Sequence, residues 1–181
     1  MKMKNNRIWS QDLYQKAIRF AGNVHANQKI PGSDLPYIIH LSNVCMEVMT
    51  ALCAEETENP DLAVLCALLH DTIEDTGVSS NDIEVLFGKE VSEGVQSLTK
   101  NSGISKELRM ADSIERIKLQ PKEVWMVKLA DRITNLQTPP SSWTDEKISN
   151  YKNEAEYILK HLGSASILLK ERLEQKIKNY P

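Results

Sequence analysis

The sequence predicts an all-α protein, one domain of about eight or nine helices, and three observations carry that prediction. Apolar residues recur at 3- and 4-residue spacing through most of the chain. No stretch keeps a period-2 alternation, and no Asn-Gly or Asp-Gly hairpin turn is present. Prolines, glycines and small polar residues cluster between the periodic segments, where helices must stop.

The first helix starts at Ser10, an N-cap with Asp12 in the first turn, and presents Leu13, Ala17, Phe20, Ala21 and Val24 on one face. Asn27 to Pro36 holds two prolines and a glycine and reads as a loop. Tyr37 to His40 leads into a helix over about Leu41 to Ala54. Asn59 is an N-cap, Pro60 suits the first helical position and Asp61 complements the helix dipole, so a buried helix is expected from Pro60 to about Asp75. Ser79 with Asp82 resembles a capping box that opens a short helix ending at Gly88. The next carries Val91, Val95 and Leu98. Further helices follow near Lys106–Lys118 and Pro121–Asn135, and Pro139-Pro140 breaks the chain. The last two are expected near Thr144–His161 and Ser164–Asn179, with Ile167, Leu168, Leu173 and Ile177 covering the core or a partner in a homodimer.

The 181 residues are enough for one ordinary domain with a real core. A net charge of −3 argues against electrostatic capture of a nucleic acid polymer. No apolar run approaches the ~20 residues that span a bilayer, and Met1 to Arg7 lacks the apolar core of a secretory signal behind it. Cys45, Cys53 and Cys66 form no C-x-x-C pair and read as buried reduced thiols, which points to the cytoplasm.

The chemistry concentrates at His70-Asp71-Thr72-Ile73-Glu74-Asp75, where four ionisable residue positions leave a strongly apolar run within about one turn. Buried charges are costly unless paired or bound to a metal, and His with Asp suits a borderline divalent ion such as Mn²⁺, Fe²⁺ or Zn²⁺. Further ligands must come from other helices. His40 and Asp131, each in or beside an apolar segment, are the best candidates. Of the other histidines, His25 is a weaker candidate for the pocket and His161 suits a helix C-terminus. Trp9, Trp125 and Trp143 read as packing residues.

His40, His70-Asp71 and Asp131 together resemble the H…HD…D signature of the HD-domain metal-dependent phosphohydrolases. Pro36-Tyr37-Ile38-Ile39-His40, His70 to Thr76 and Lys128 to Asn135 sharpen the likeness to the RelA/SpoT hydrolase domain and its small stand-alone Mesh1-like members. The likeness runs from about Leu13 to Tyr180. It implies an HD-domain helical bundle with one Mn²⁺ held by His40, His70, Asp71 and Asp131, and with Glu74 and Asp75 acting on the attacking water. The implied reaction removes pyrophosphate from the 3′ position of guanosine tetra- or pentaphosphate. Lys29, Lys100 and Arg132 are the basic candidates for balancing the substrate's charge, and Asn135 and Thr138 match family positions near it.

The sequence departs from the family where substrate is gripped. The stretch before the P-Y-x-x-H motif is Lys29 to Leu35, without arginine, and Thr134 and Gln137 replace a histidine and an arginine. Two other readings therefore stay open: an HD-domain hydrolase of another nucleotide, and a non-catalytic nucleotide sensor.

Overall fold

The computed structural model describes residues 9–181; the Met1 to Arg7 stretch lies outside the described residues. Among the described residues ten α-helical segments run in the order α1 (Gln11–Val24), α2 (Ile38–Ala54), α3 (Pro60–Leu69), α4 (Thr72–Asp75), α5 (Ser80–Phe87), α6 (Lys89–Leu98), α7 (Arg109–Lys118), α8 (Lys122–Asn135), α9 (Asp145–Leu162) and α10 (Ile167–Asn179), with short 3-10 turns at Lys106–Leu108 and Gly163–Ala165. Among the described residues the only β pairing is one isolated bridge between Lys29 and Pro36. No helix among the described residues is long and apolar enough to cross a membrane.

Local signals start these helices. The hydroxyls of Ser10, Thr144 and Ser166 and the Asn59 side-chain oxygen accept from backbone amides in the first turns of α1, α9, α10 and α3. Ser79 and Asp82 close a full capping box on α5, which ends at Gly88 with φ 93°, a conformation that suits glycine.

The organising element is α3. Every residue from Leu62 to Leu69 is buried, and the helix packs against α1, α2, α6 and α8. A helix apolar on all sides must lie inside the protein. α2 and α8 pack on α3 and on each other, and α10 covers both from outside. Two ion-assisted contacts fasten α10. Arg172 donates from Nε and Nη2 to the buried Glu47 of α2 at 2.9–3.1 Å. Glu55, just past α2, accepts from Ser166 Oγ, Ile167 N and Leu168 N at 2.8–3.2 Å, so a carboxylate sits on the positive end of α10.

Three details differ from the sequence expectation. The helix expected from Pro60 to Asp75 breaks at His70-Asp71. There the His70 Nδ1–H donates to the Ala67 carbonyl (2.9 Å) and the Thr72 hydroxyl to the Leu69 carbonyl (2.7 Å), so side chains satisfy carbonyls that the next turn would otherwise use. Cys45 and Cys66 are buried, but Cys53 is exposed near the end of α2. Ile167 is also exposed, because it sits in the first turn of α10 on the side away from the core.

Candidate active site and metal centre

His40 lies in the first turn of α2, His70 and Asp71 at the break after α3, and Asp131 in the last turns of α8. Because α2, α3 and α8 pack together, the four side chains meet. One ligand atom from each of His40, His70 and Asp131 lies within 4.8 Å of the others. Asp71 Oδ2 completes the group, 3.0 Å from His70 Nε2 and 3.6 Å from His40 Nε2. Asp131 Oδ1 is 3.5 Å from His40 Nε2 and 3.8 Å from His70 Nε2.

The surroundings aim these groups. With His70 Nδ1–H committed to a backbone carbonyl, the buried Nε2 faces the carboxylates. Burial works against a charged imidazole, but among the protein groups the adjacent Asp71 and Asp131 carboxylates prevail and push the His70 pKa up to about 9. Burial also opposes the Asp71 carboxylate, yet His70 and the Tyr37 hydroxyl, which donates at 2.6 Å, bring its pKa down to about 2. Asp131 is held well below the usual carboxylate range despite burial. Lys128 Nζ lies 3.3 Å from its Oδ2, the two imidazoles are close, and Asn135 Nδ2 donates to Oδ1 at 2.5 Å. A field that favours a proton on His70 this strongly also favours a cation. Two imidazole nitrogens and two carboxylates are a fitting donor set for a borderline divalent metal.

Beside this group lies a cavity of about 120 Å³ lined by Tyr37, His70, Asp71, Glu74, Asp75, Leu98, Lys100, Lys128, Asp131 and Asn135. Glu74 and Asp75 end the one-turn α4 and are oriented from outside it. Glu74 accepts from Lys100 twice, from Nζ at 2.6 Å and from the backbone amide at 2.8 Å. Asp75 Oδ2 accepts from Gln28 Nε2 at 2.8 Å.

Of the five candidates for substrate contact, Lys100 and Asn135 line this cavity and three do not. The Arg132 guanidinium turns toward α9. It donates to Glu154 at 3.1 Å and to the Tyr151 carbonyl, and it stacks 4.1 Å from the Tyr151 ring. Residues adjacent on a helix point about 100° apart, and with Asp131 facing the cavity, Arg132 faces the neighbouring helix. Lys29 is exposed and paired with Asp34 at 2.6 Å. Thr138 lies past the end of α8, in a separate surface hollow with Arg172 and Lys176.

Sequence reasoning gave no role to Gln28, Tyr37 or Lys128. Lys128 did leave a signal, as a lone lysine in the apolar run Met126 to Ala130. Tyr37 stood inside the P-Y-x-x-H motif, whereas Gln28 gave no local sign. His25 is buried and stacks on Tyr37, with centroids 5.2 Å apart.

Comparison with known proteins identifies the family. A family model for the HD domain matches residues 17–167. The Danio rerio guanosine-3′,5′-bis(diphosphate) 3′-pyrophosphohydrolase MESH1 is 30% identical over 166 residues, covering 88% of this chain and 89% of the relative. The guanosine-3′,5′-bis(diphosphate) 3′-pyrophosphohydrolase of Aquifex aeolicus is 34% identical over 127 residues, which are 68% of this chain and 17% of that longer protein. The solved structure of a metazoan SpoT ortholog, described as hydrolysing ppGpp, superposes with a TM-score of 0.80 at 26% identity, covering 93% of this chain and 96% of that one. The chain belongs to the HD-domain family, with the stand-alone MESH1 hydrolases among its relatives.

Proposed function

We propose that the protein is a Mn²⁺-dependent 3′-pyrophosphohydrolase of guanosine tetra- or pentaphosphate that works in the cytoplasm. One observation carries this reading. Donor side chains from three separated segments meet, and His70, Asp71 and Asp131 among them line a single cavity with two further carboxylates one turn away on its wall. His40, His70, Asp71 and Asp131 would hold the metal. When bound, such a metal lowers the pKa of a water and polarises a phosphoryl oxygen. Glu74 and Asp75 orient the attacking water and accept its proton. The water oxygen bonds to the phosphorus attached at O3′, the bond from that phosphorus to O3′ breaks, and O3′ takes up a proton, giving pyrophosphate with GDP from the tetraphosphate or GTP from the pentaphosphate.

The rim of the cavity favours one alternative. Lys100 and Lys128 are the basic side chains on its wall, and both are already paired with carboxylates. Arg132 and Lys29 point elsewhere. A less highly charged nucleotide is the second reading. A nucleotide panel with Mn²⁺ present and then chelated separates the two. GDP and pyrophosphate from guanosine tetraphosphate support the first. Inorganic phosphate from a mononucleotide, with no turnover of the tetraphosphate, supports the second. Nucleotide binding without turnover of any member overturns both. Asp131→Ala is expected to lose metal and turnover together, and Glu74→Ala to keep the metal and lose turnover.

A further inference from the structure

His25 and Gln28 lie outside the metal group, yet they reach it by a continuous path. The His25 ring is buried, and its Nδ1 is 2.5 Å from Gln28 Oε1. Gln28 Nε2 donates to Asp75 Oδ2. The backbone pins Gln28 on both sides: its N–H donates to the His25 carbonyl at 2.9 Å, and its carbonyl accepts from the Tyr37 N–H at 3.0 Å. The same His25 ring stacks on Tyr37, whose hydroxyl donates to Asp71.

The directions of these bonds are determined. A carboxylate can only accept, so the Gln28 amide must turn its NH₂ toward Asp75 and its oxygen toward His25. His25 must then carry a proton on Nδ1. Asp75 Oδ1 has no hydrogen-bond partner among the described residues, and Asp75 lines the cavity. One oxygen is fixed and the other is left for the cavity.

We infer that His25 and Gln28 are positioning residues that hold Asp75, with His25 setting the orientation of the Gln28 amide and Gln28 fixing one carboxylate oxygen. The inference rests on the reading of Asp75 as part of the water-orienting pair. Its physical basis is the sensitivity of catalysis to small displacements of a reacting group.

The test uses the whole chain and two readouts. The first is steady-state kinetics with Mn²⁺ on the nucleotide that the wild type hydrolyses. Gln28→Leu and His25→Phe are expected to lower kcat by about ten- to 100-fold with KM within about twofold, as for a misplaced catalytic group. His25→Phe keeps an aromatic ring against Tyr37, whereas His25→Asn supplies an N–H near the Nδ1 position and is expected to restore most of the loss. If His25→Asn is as impaired as His25→Phe, or if kcat falls only in proportion to lost folded protein, the inference is overturned. The second readout is imidazole nitrogen NMR on histidine-labelled protein, which needs no turnover. The Nδ1 of His25 is expected to be protonated in the wild type and to shift in Gln28→Leu. A His25 with bare Nδ1 overturns the relay. A wild type inert toward every nucleotide, with Nδ1 protonated, removes the functional reading and leaves the relay standing.

Discussion

Lys128 offers a direct test of how the metal group is balanced. Its side chain and that of Asp131 are 10% and 14% exposed, with Nζ 3.3 Å from Oδ2. Removing one partner of a buried ion pair costs about 3–5 kcal/mol, because the other charge is left uncompensated. Asp131 keeps the Asn135 amide at 2.5 Å and the two imidazoles at 3.5 and 3.8 Å. Lys128→Met is therefore expected to cost the metal-free protein about 2–3 kcal/mol. For a chain of this length that is a fall in Tm of about 4–12 °C. A bound divalent cation supplies the missing counter-charge, so the same variant in Mn²⁺ is expected to lose less than about 1 kcal/mol. The assay is thermal denaturation of wild type and variant, each in chelator and in saturating Mn²⁺. The manganese-induced rise in Tm must be larger in Lys128→Met than in wild type. An equal fall in both conditions would refute the idea that lysine and metal balance the same carboxylate.

Three further outcomes follow from the geometry. His70 is raised from 6.5 to about 9 in the folded, metal-free protein. Its stabilisation is thus complete below pH 6.5 and is lost as pH rises through about 9, while that of Asp71, lowered from 3.8 to about 2, is lost as pH falls through about 2. Mn²⁺ binding near neutral pH must then release a proton from His70, measured by calorimetry in buffers of different ionisation heat; binding without proton release would contradict the assignment. Glu55→Ala removes three acceptor contacts at the start of α10 and is expected to cost about 1–2 kcal/mol, with Glu55→Gln milder, read as a lower urea midpoint at unchanged slope. A Cβ at Gly94 would stand 2.7 Å from Cys66 Sγ and 3.0 Å from Val124 Cγ2. Crowding of about 1–3 kcal/mol then outweighs the helix-propensity gain of about 1 kcal/mol, and Gly94→Ala is expected to lower the Tm.

What the sequence reveals depends on the range of the interaction. Ser10, Asn59, Ser79 and Thr144 announce helix starts because a cap acts within three residues. His40, His70, Asp71 and Asp131 stand out because each interrupts an apolar pattern, and the fold brings His40, His70 and Asp131 together with Asp71 against the two imidazoles. The break at His70-Asp71 is hidden, because the apolar run reads as helix straight through it while two side-chain bonds end it. The direction of Arg132 is hidden as well. Its partners, Tyr151 and Glu154, belong to another helix, and neighbouring Asp131 gives no hint of them. Gln28 and Lys100 acquire their places only when loops from distant parts of the chain close over α4.

The donor group is held by the buried helices α2, α3 and α8, whereas Tyr37 and Lys100 on the cavity wall come from connecting segments, one before α2 and one after α6. These two layers tolerate change very differently. A substitution in α3 meets close packing on every side, but the exposed turn between Ile30 and Leu35 can lengthen, shorten or change charge while the Lys29–Pro36 bridge holds its base. The protein thus separates a conservative interior from an evolvable edge, and grafted loops rather than core redesign are the route to changing what this cavity accepts.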